Sequence, residues 1–124
     1  MLSVCSFGAD MDALIRAMII QESSGNDFAL GDFVNGKPTA FGCLQITDAA
    51  LEDVNVRLGR AYSSEDRFDR KKSIEIAIAY MRLYAGQSVG EKAARVFNGG
   101  PTGYSKKSTE EYWRLIKKIM EDRR

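Results

Sequence analysis

Apolar residues recur at helical spacing along most of this chain, and that periodicity commits it to a mainly helical fold. Met11, Leu14, Ile15, Met18 and Ile19 fall at i, i+3, i+4, i+7 and i+8 and form one stripe, with Asp10 or Asp12 as the expected N-cap. The stop is expected at Ser23-Ser24-Gly25-Asn26, a cluster of turn formers. Thr47 or Asp48 opens a second helix that runs to about Leu58 and ends at Gly59. Asp69 caps a third, in which Ile74, Ala77, Ile78 and Met81 keep helical spacing and Gly86 lies just past the end. Ser88 with Glu91, and Ser108 with Glu111, have the spacing of capping boxes for a fourth and a fifth helix. The fourth runs into Phe97-Asn98-Gly99-Gly100-Pro101, and the fifth turns Tyr112, Leu115, Ile116, Ile119 and Met120 inward. The pattern breaks only between Asp32 and Gly42, where Asn35-Gly36 is the strongest short hairpin signal available. The expectation is a mainly α, α+β domain spanning residues 1–124, with about five or more helices and one small β-hairpin after the first. No internal repeat, low-complexity linker or boundary divides it, and 124 residues with 44% hydrophobic content suit one core.

The chain holds no histidine, which excludes Ser-His-Asp and Cys-His nucleophiles and His-ligated zinc. Acid-base chemistry must come from carboxylates, Lys, Tyr or Cys, and carboxylates are the obvious source. With 18 basic against 17 acidic residues the net charge is +1, which argues against general nucleic-acid binding. The distribution is uneven: residues 1–56 hold eight acids and two bases, residues 57–124 nine acids and sixteen bases. Cys5 and Cys43 are too few for a disulfide framework and are not spaced as a CxxC pair, so both read as small apolar residues, with a single disulfide between them as the alternative. The N-terminus lacks a basic n-region and an unbroken apolar run, so it does not read as a signal peptide. No stretch approaches the roughly 20 apolar residues of a membrane span.

Glu22 lies four residues after Met18 and three after Ile19, which places its carboxylate on the apolar stripe at the C-terminal end of the first helix. Apolar surroundings and the negative end of the helix dipole both disfavour the ionised form. A carboxylic acid still protonated near neutral pH is what a general acid requires. A head group escaping to solvent at a frayed helix end is the alternative. Around Glu22, the blocks Gln21-Glu22-Ser23, Gly42-Cys43-Leu44-Gln45 and Phe97-Asn98-Gly99 occur in order. They resemble the three signature blocks of the soluble lytic transglycosylases, the peptidoglycan-cleaving SLT family of the lysozyme-like superfamily. Asp69 with Ile74 and Tyr80, and Thr109 to Tyr112, resemble later segments of that family, so the similarity runs over about residues 10–120. Gly31-Asp32, Asp53-Val54-Asn55 and Asn98-Gly-Gly-Pro-x-Gly-Tyr104 look most like bacteriophage-borne members.

The resemblance implies a lysozyme-like fold and carries the catalytic glutamate onto Glu22. Ser23 matches a serine that hydrogen-bonds near the cleft, though ending the helix is an equal role for it. Gly42 would let a sugar approach the backbone. Gln45 would bond substrate amides or orient Glu22, or else tie the hairpin to the helix. Asn98 offers a donor and an acceptor to an N-acetyl group while also ending its helix. Tyr112 lies on the apolar stripe, so it either packs or turns its hydroxyl to Glu22 or substrate. Trp113 is one position off that stripe, where packing is the plainer role and sugar stacking the other. Cys43 stands where the family usually has Met, and Phe97 where it usually has Tyr; neither touches the acid.

The implied route uses a single acid, Glu22, to cleave the bond from N-acetylmuramic acid to N-acetylglucosamine and form a 1,6-anhydro product, with no metal or cofactor. The partner would be peptidoglycan glycan strands, bound by a monomer that does not bind nucleic acid or insert into a membrane. The site of action would be the bacterial cell wall, reached by another route or through a segment outside this chain. A hydrolytic lysozyme is the nearest rival, because Asp27, Asp32 and Asp48 all lie close in sequence to the proposed cleft. Of these Asp32 is the best second carboxylate, although a turn-capping aspartate after Gly31 is its ordinary role. A non-catalytic glycan-binding or virion structural module is the third reading, and retention of Glu22, Gln45 and Asn98 counts against it.

Overall fold

Five α-helices and one small antiparallel sheet make up the computed structural model, which describes residues 3–123. The chain forms two compact units, one made of residues up to 21 and from 81 onward, the other of residues 22–80.

In the first unit, α1 (Ser3–Ser23) buries Met11, Leu14, Ile15, Met18 and Ile19, the whole of the expected stripe. The helix begins earlier than expected. Asp10 and Asp12 are exposed positions within it and cap nothing, because the preceding stretch holds no proline that would stop the helix extending backward. Helix α4 (Glu91–Gly99) packs on α5 (Glu110–Asp122) and on the 3-10 turn Gly103–Ser105. Neither expected capping box forms, because each glutamate finds an arginine on its own helix. Glu91 pairs with Arg95 at 2.7 Å and Glu111 with Arg114. The N-caps are Gly90 and Thr109, while the Ser88 hydroxyl still accepts from the backbone N–H of Ala93 at 3.2 Å. Arg95 is buried and holds three segments together, donating to the Thr109 hydroxyl (2.8 Å), the Lys106 carbonyl (3.0 Å) and Glu91. On α5, Tyr112 and Ile116 are buried and Leu115, Ile119 and Met120 half-buried.

In the second unit, three two-residue strands pair in the order β1-β2-β3: Leu30–Gly31, Ala40–Phe41 and Ile46–Thr47. Leu30 faces Phe41 and Gly31 faces Ala40, while Ala40 also faces Thr47 and Phe41 faces Ile46. The expected hairpin is therefore present with one strand more. Its turn is the one Asn35-Gly36 predicts: both residues have positive φ (53° and 78°), and Val34 and Lys37 exchange backbone hydrogen bonds of 2.8 and 3.0 Å. Helix α2 (Asp48–Leu58) is capped as expected, with the Thr47 hydroxyl accepting from Ala50 N–H and Gly59 left-handed at the other end. The Asn55 side chain then clasps the backbone of Tyr62 through two 2.9 Å hydrogen bonds.

A 3-10 helix, Ser64–Phe68, precedes α3 (Arg70–Ala85), whose first turn donates Lys72 N–H to the Asp69 carboxylate. Helix α3 buries more of its circumference than one stripe. Ser73, Ile76, Ala77, Tyr80 and Met81 are buried, while Ile74 and Ile78 are only half-buried. The unit's core is Ala40, Cys43, Leu44, Ile46, Leu51, Val54, Ile76 and Ala77. Cys43 is a free, buried thiol, and burial pushes its pKa up. The side chain of Cys5 lies outside the described residues. Among the described residues no helix is long and apolar enough to cross a membrane.

Candidate active site

Glu22 occupies the last turn of α1, half-buried, one residue before the helix ends. The ending is built from the residues that follow it. Ser24 (φ 55°) and Gly25 (φ 89°) are both left-handed and reverse the chain. The Ser23 hydroxyl accepts from Gly25 N–H at 3.2 Å and donates to the carbonyl of Cys43 at 2.9 Å. Ser23 thus ends the helix and fastens it to the turn between β2 and β3, so the carboxylate beside it stands on a fixed support.

That turn has its own internal order. Gly42 has φ 83°, and a Cβ there would lie 1.8 Å from the carbonyl oxygen of Arg67. The demand for glycine comes from this close backbone approach, and Gly42 is buried. Gln45, left-handed at φ 52°, turns its side chain back across the sheet. Its Nε2 donates to the Gly42 carbonyl (3.1 Å) and the Ala29 carbonyl (3.3 Å), and Gly42 N–H donates to the same Ala29 carbonyl at 2.8 Å. The Gln45 amide lies so close over Gly31 that a Cβ there would meet Oε1 at 1.9 Å. These bonds join the segment before β1 to the turn between β2 and β3, a tie within the sheet region that differs from the expected one between hairpin and helix.

Two arginines complete the support. Arg70 donates to the Asp27 carboxylate at 2.8 Å and to the Gly25 carbonyl, which pins the loop after Glu22 to the start of α3. Arg67 is buried, with 4% of its surface exposed. It donates to the carbonyls of Ser64 and Ile46, both at 3.1 Å, pairs with Asp48 at 2.9 Å, and lies 4.1 Å from the centre of the Phe41 ring. A buried guanidinium with this many acceptors is costly to remove.

Of the three aspartates expected near the cleft, two are in ion pairs: Asp27 with Arg70 and Asp48 with Arg67. Asp32 is exposed at φ 50°, just past β1, and its carbonyl accepts from the Thr39 hydroxyl. Glu22, Ser23, Asp32, Gly42 and Gln45 all belong to the second unit, and its hydrogen bonds join Ser23, Gly42 and Gln45 through the 42–45 turn. Asn98 and Tyr112 belong to the first unit. Asn98 is exposed in the last turn of α4, which Gly100 closes by donating to Val96, and Tyr112 is buried on α5. Arg67 and Arg70 went unread in the sequence, because Asp66-Arg67-Phe68-Asp69-Arg70 looks like any solvated charged turn. No local pattern marks which of its arginines is buried.

What this arrangement offers chemically is a carboxyl at a helix end, beside a turn held by its own hydrogen bonds, with Asp27 and Asp48 in ion pairs with Arg70 and Arg67. The family described as Transglycosylase SLT domain matches residues 8–120. Among curated proteins, a lysozyme from Ostrea edulis is 32% identical over 117 residues, covering 91% of this chain and 83% of that protein. No solved structure gives a significant match.

Proposed function

The chain belongs to the transglycosylase SLT family, and on that footing we propose that it cleaves the β-1,4 bond from N-acetylmuramic acid to N-acetylglucosamine with Glu22 as its single general acid and base. It is a lysozyme-like enzyme of the glycosidase and transglycosylase class that acts on cell-wall peptidoglycan. Glu22 gives its proton to the glycosidic oxygen as the bond to the muramic acid anomeric carbon breaks. The substrate's own N-acetyl oxygen stabilises the charge left on that carbon. The Glu22 carboxylate then takes the proton of the C6 hydroxyl while that oxygen closes on the anomeric carbon. Glu22 ends protonated, no water is consumed, and the product is a 1,6-anhydro sugar.

The observation that carries this reading is the place of Glu22, half-buried in the last turn of α1 at the end of the buried stripe of Met11, Leu14, Ile15, Met18 and Ile19. Ser23 and the 42–45 turn hold it in place, and Asn98 and Tyr112 are the proposed contacts for the N-acetyl groups and the reacting sugar. In this reading the two units serve one catalytic domain, since the family match runs through both. It works as a monomer on glycan strands and not on nucleic acid, in keeping with a net charge of +1.

The lysozyme from Ostrea edulis favours one rival, a hydrolytic mechanism, which needs a second carboxylate. Asp32 is the residue that would supply it. Asp32→Asn separates the two, because asparagine keeps the left-handed backbone but carries no charge. The single-acid route expects turnover of purified peptidoglycan to stay within about threefold of wild type, whereas loss of a true second carboxylate would cost roughly 10²-fold or more.

A further inference from the structure

Four of the large apolar side chains left exposed among the described residues, Phe28, Leu30, Phe33 and Val34, fall within seven positions of one another just after Glu22. Phe28 is the one of the four whose exposed side chain stacks on another aromatic ring. It is 72% exposed, while its ring lies on that of Phe68 with centroids 6.1 Å apart and planes 24° from parallel. Phe68 in turn meets Phe41 edge-on at 6.2 Å, and Phe41 rests against the buried Arg67 guanidinium. The Phe28 backbone is held as well, its N–H donating to the Asn26 side chain at 2.9 Å. One face of the ring is thus backed by a ladder that ends in a buried cation, and the other is open to solvent.

We infer that Phe28 is a stacking platform for a pyranose ring of the glycan strand, and that it sets substrate affinity without taking part in bond cleavage. The inference rests on the chain being a peptidoglycan-cleaving enzyme. An aromatic face fits the C–H face of a sugar, and a ring already fixed by Phe68 and Asn26 loses little freedom when the sugar docks. The charge of the surrounding segment speaks against an anionic lipid surface as the occupant, because residues 1–56 carry eight acids and two bases.

The test compares wild type, Phe28→Ala and Phe28→Trp in two measurements: NMR titration with chitotetraose, a sugar free of peptide, and steady-state cleavage of purified peptidoglycan. Because the ring is mostly exposed and Phe28→Ala loses only its contact with Phe68, both variants are expected to stay folded, with melting temperatures within a few degrees of wild type. The platform predicts that Phe28→Ala weakens chitotetraose binding and raises KM by roughly fivefold to tenfold with kcat within about twofold, and that Phe28→Trp restores both. Unchanged chitotetraose affinity in Phe28→Ala overturns the inference, and does so equally if KM on intact peptidoglycan rises, since the ring would then be reading the peptide. A wild type that cleaves peptidoglycan but does not bind chitotetraose removes the platform and leaves the activity standing. A wild type that does neither removes both.

Discussion

Glu22→Gln is expected to lower peptidoglycan cleavage by roughly 10²- to 10⁴-fold, the span that general-acid catalysis covers. Glutamine keeps the shape and hydrogen-bonding reach of the side chain at the end of α1 but has no proton to deliver. Folding should survive, because the ties that secure this helix end belong to Ser23, Arg70 and Asp27. A turbidity assay on purified cell walls, run beside a thermal melt of the same preparation, checks both halves. Full cleavage by a folded Glu22→Gln protein would mean that the acid lies elsewhere.

Gly42→Ala is expected to be the most damaging small substitution in the second unit. Alanine at φ 83° pays the left-handed penalty, and its methyl group would sit 1.8 Å from the Arg67 carbonyl oxygen. Strain and overpacking together cost about 2–5 kcal/mol. For a chain of this size that lowers the melting temperature on the order of 10 °C. Since the displaced turn also receives the Ser23 hydroxyl through Cys43, activity should fall at temperatures where the variant is still folded. Calorimetry and the cleavage assay at low temperature separate the two effects, and a melting temperature within a degree or two of wild type would contradict the packing described.

Much of this architecture is written locally, and those parts were legible. Thr47, Gly59, Asp69 and Gly86 mark helix ends by chemistry that acts within three or four residues. Asn35-Gly36 marks its turn for the same reason. The two capping boxes failed because spacing alone does not tell whether a glutamate turns back to its cap or forward to an arginine one turn on. Glu91 and Glu111 both turned forward. Strand β3 has two residues and therefore no periodicity to read. In the candidate site, Glu22 stands out in the sequence because an acid closing an apolar stripe is anomalous, and its half-buried position in the last turn of α1 matches that placement. The frame around it does not stand out, since Arg67 meets Ile46 and Asp48 from about twenty positions away. Phe28 meets Phe68 across forty. Contacts of that range leave no trace in local spacing.

The central claim, that Glu22 works as a single acid and base on glycan strands, is tested most directly by mass spectrometry of the soluble products released from purified peptidoglycan by the wild-type protein. An internal attack by the C6 hydroxyl consumes no water. The account therefore predicts muropeptides ending in 1,6-anhydro-N-acetylmuramic acid, each one water lighter than its hydrolysed counterpart. Products that carry a free reducing end would show that water is the nucleophile, and would contradict it.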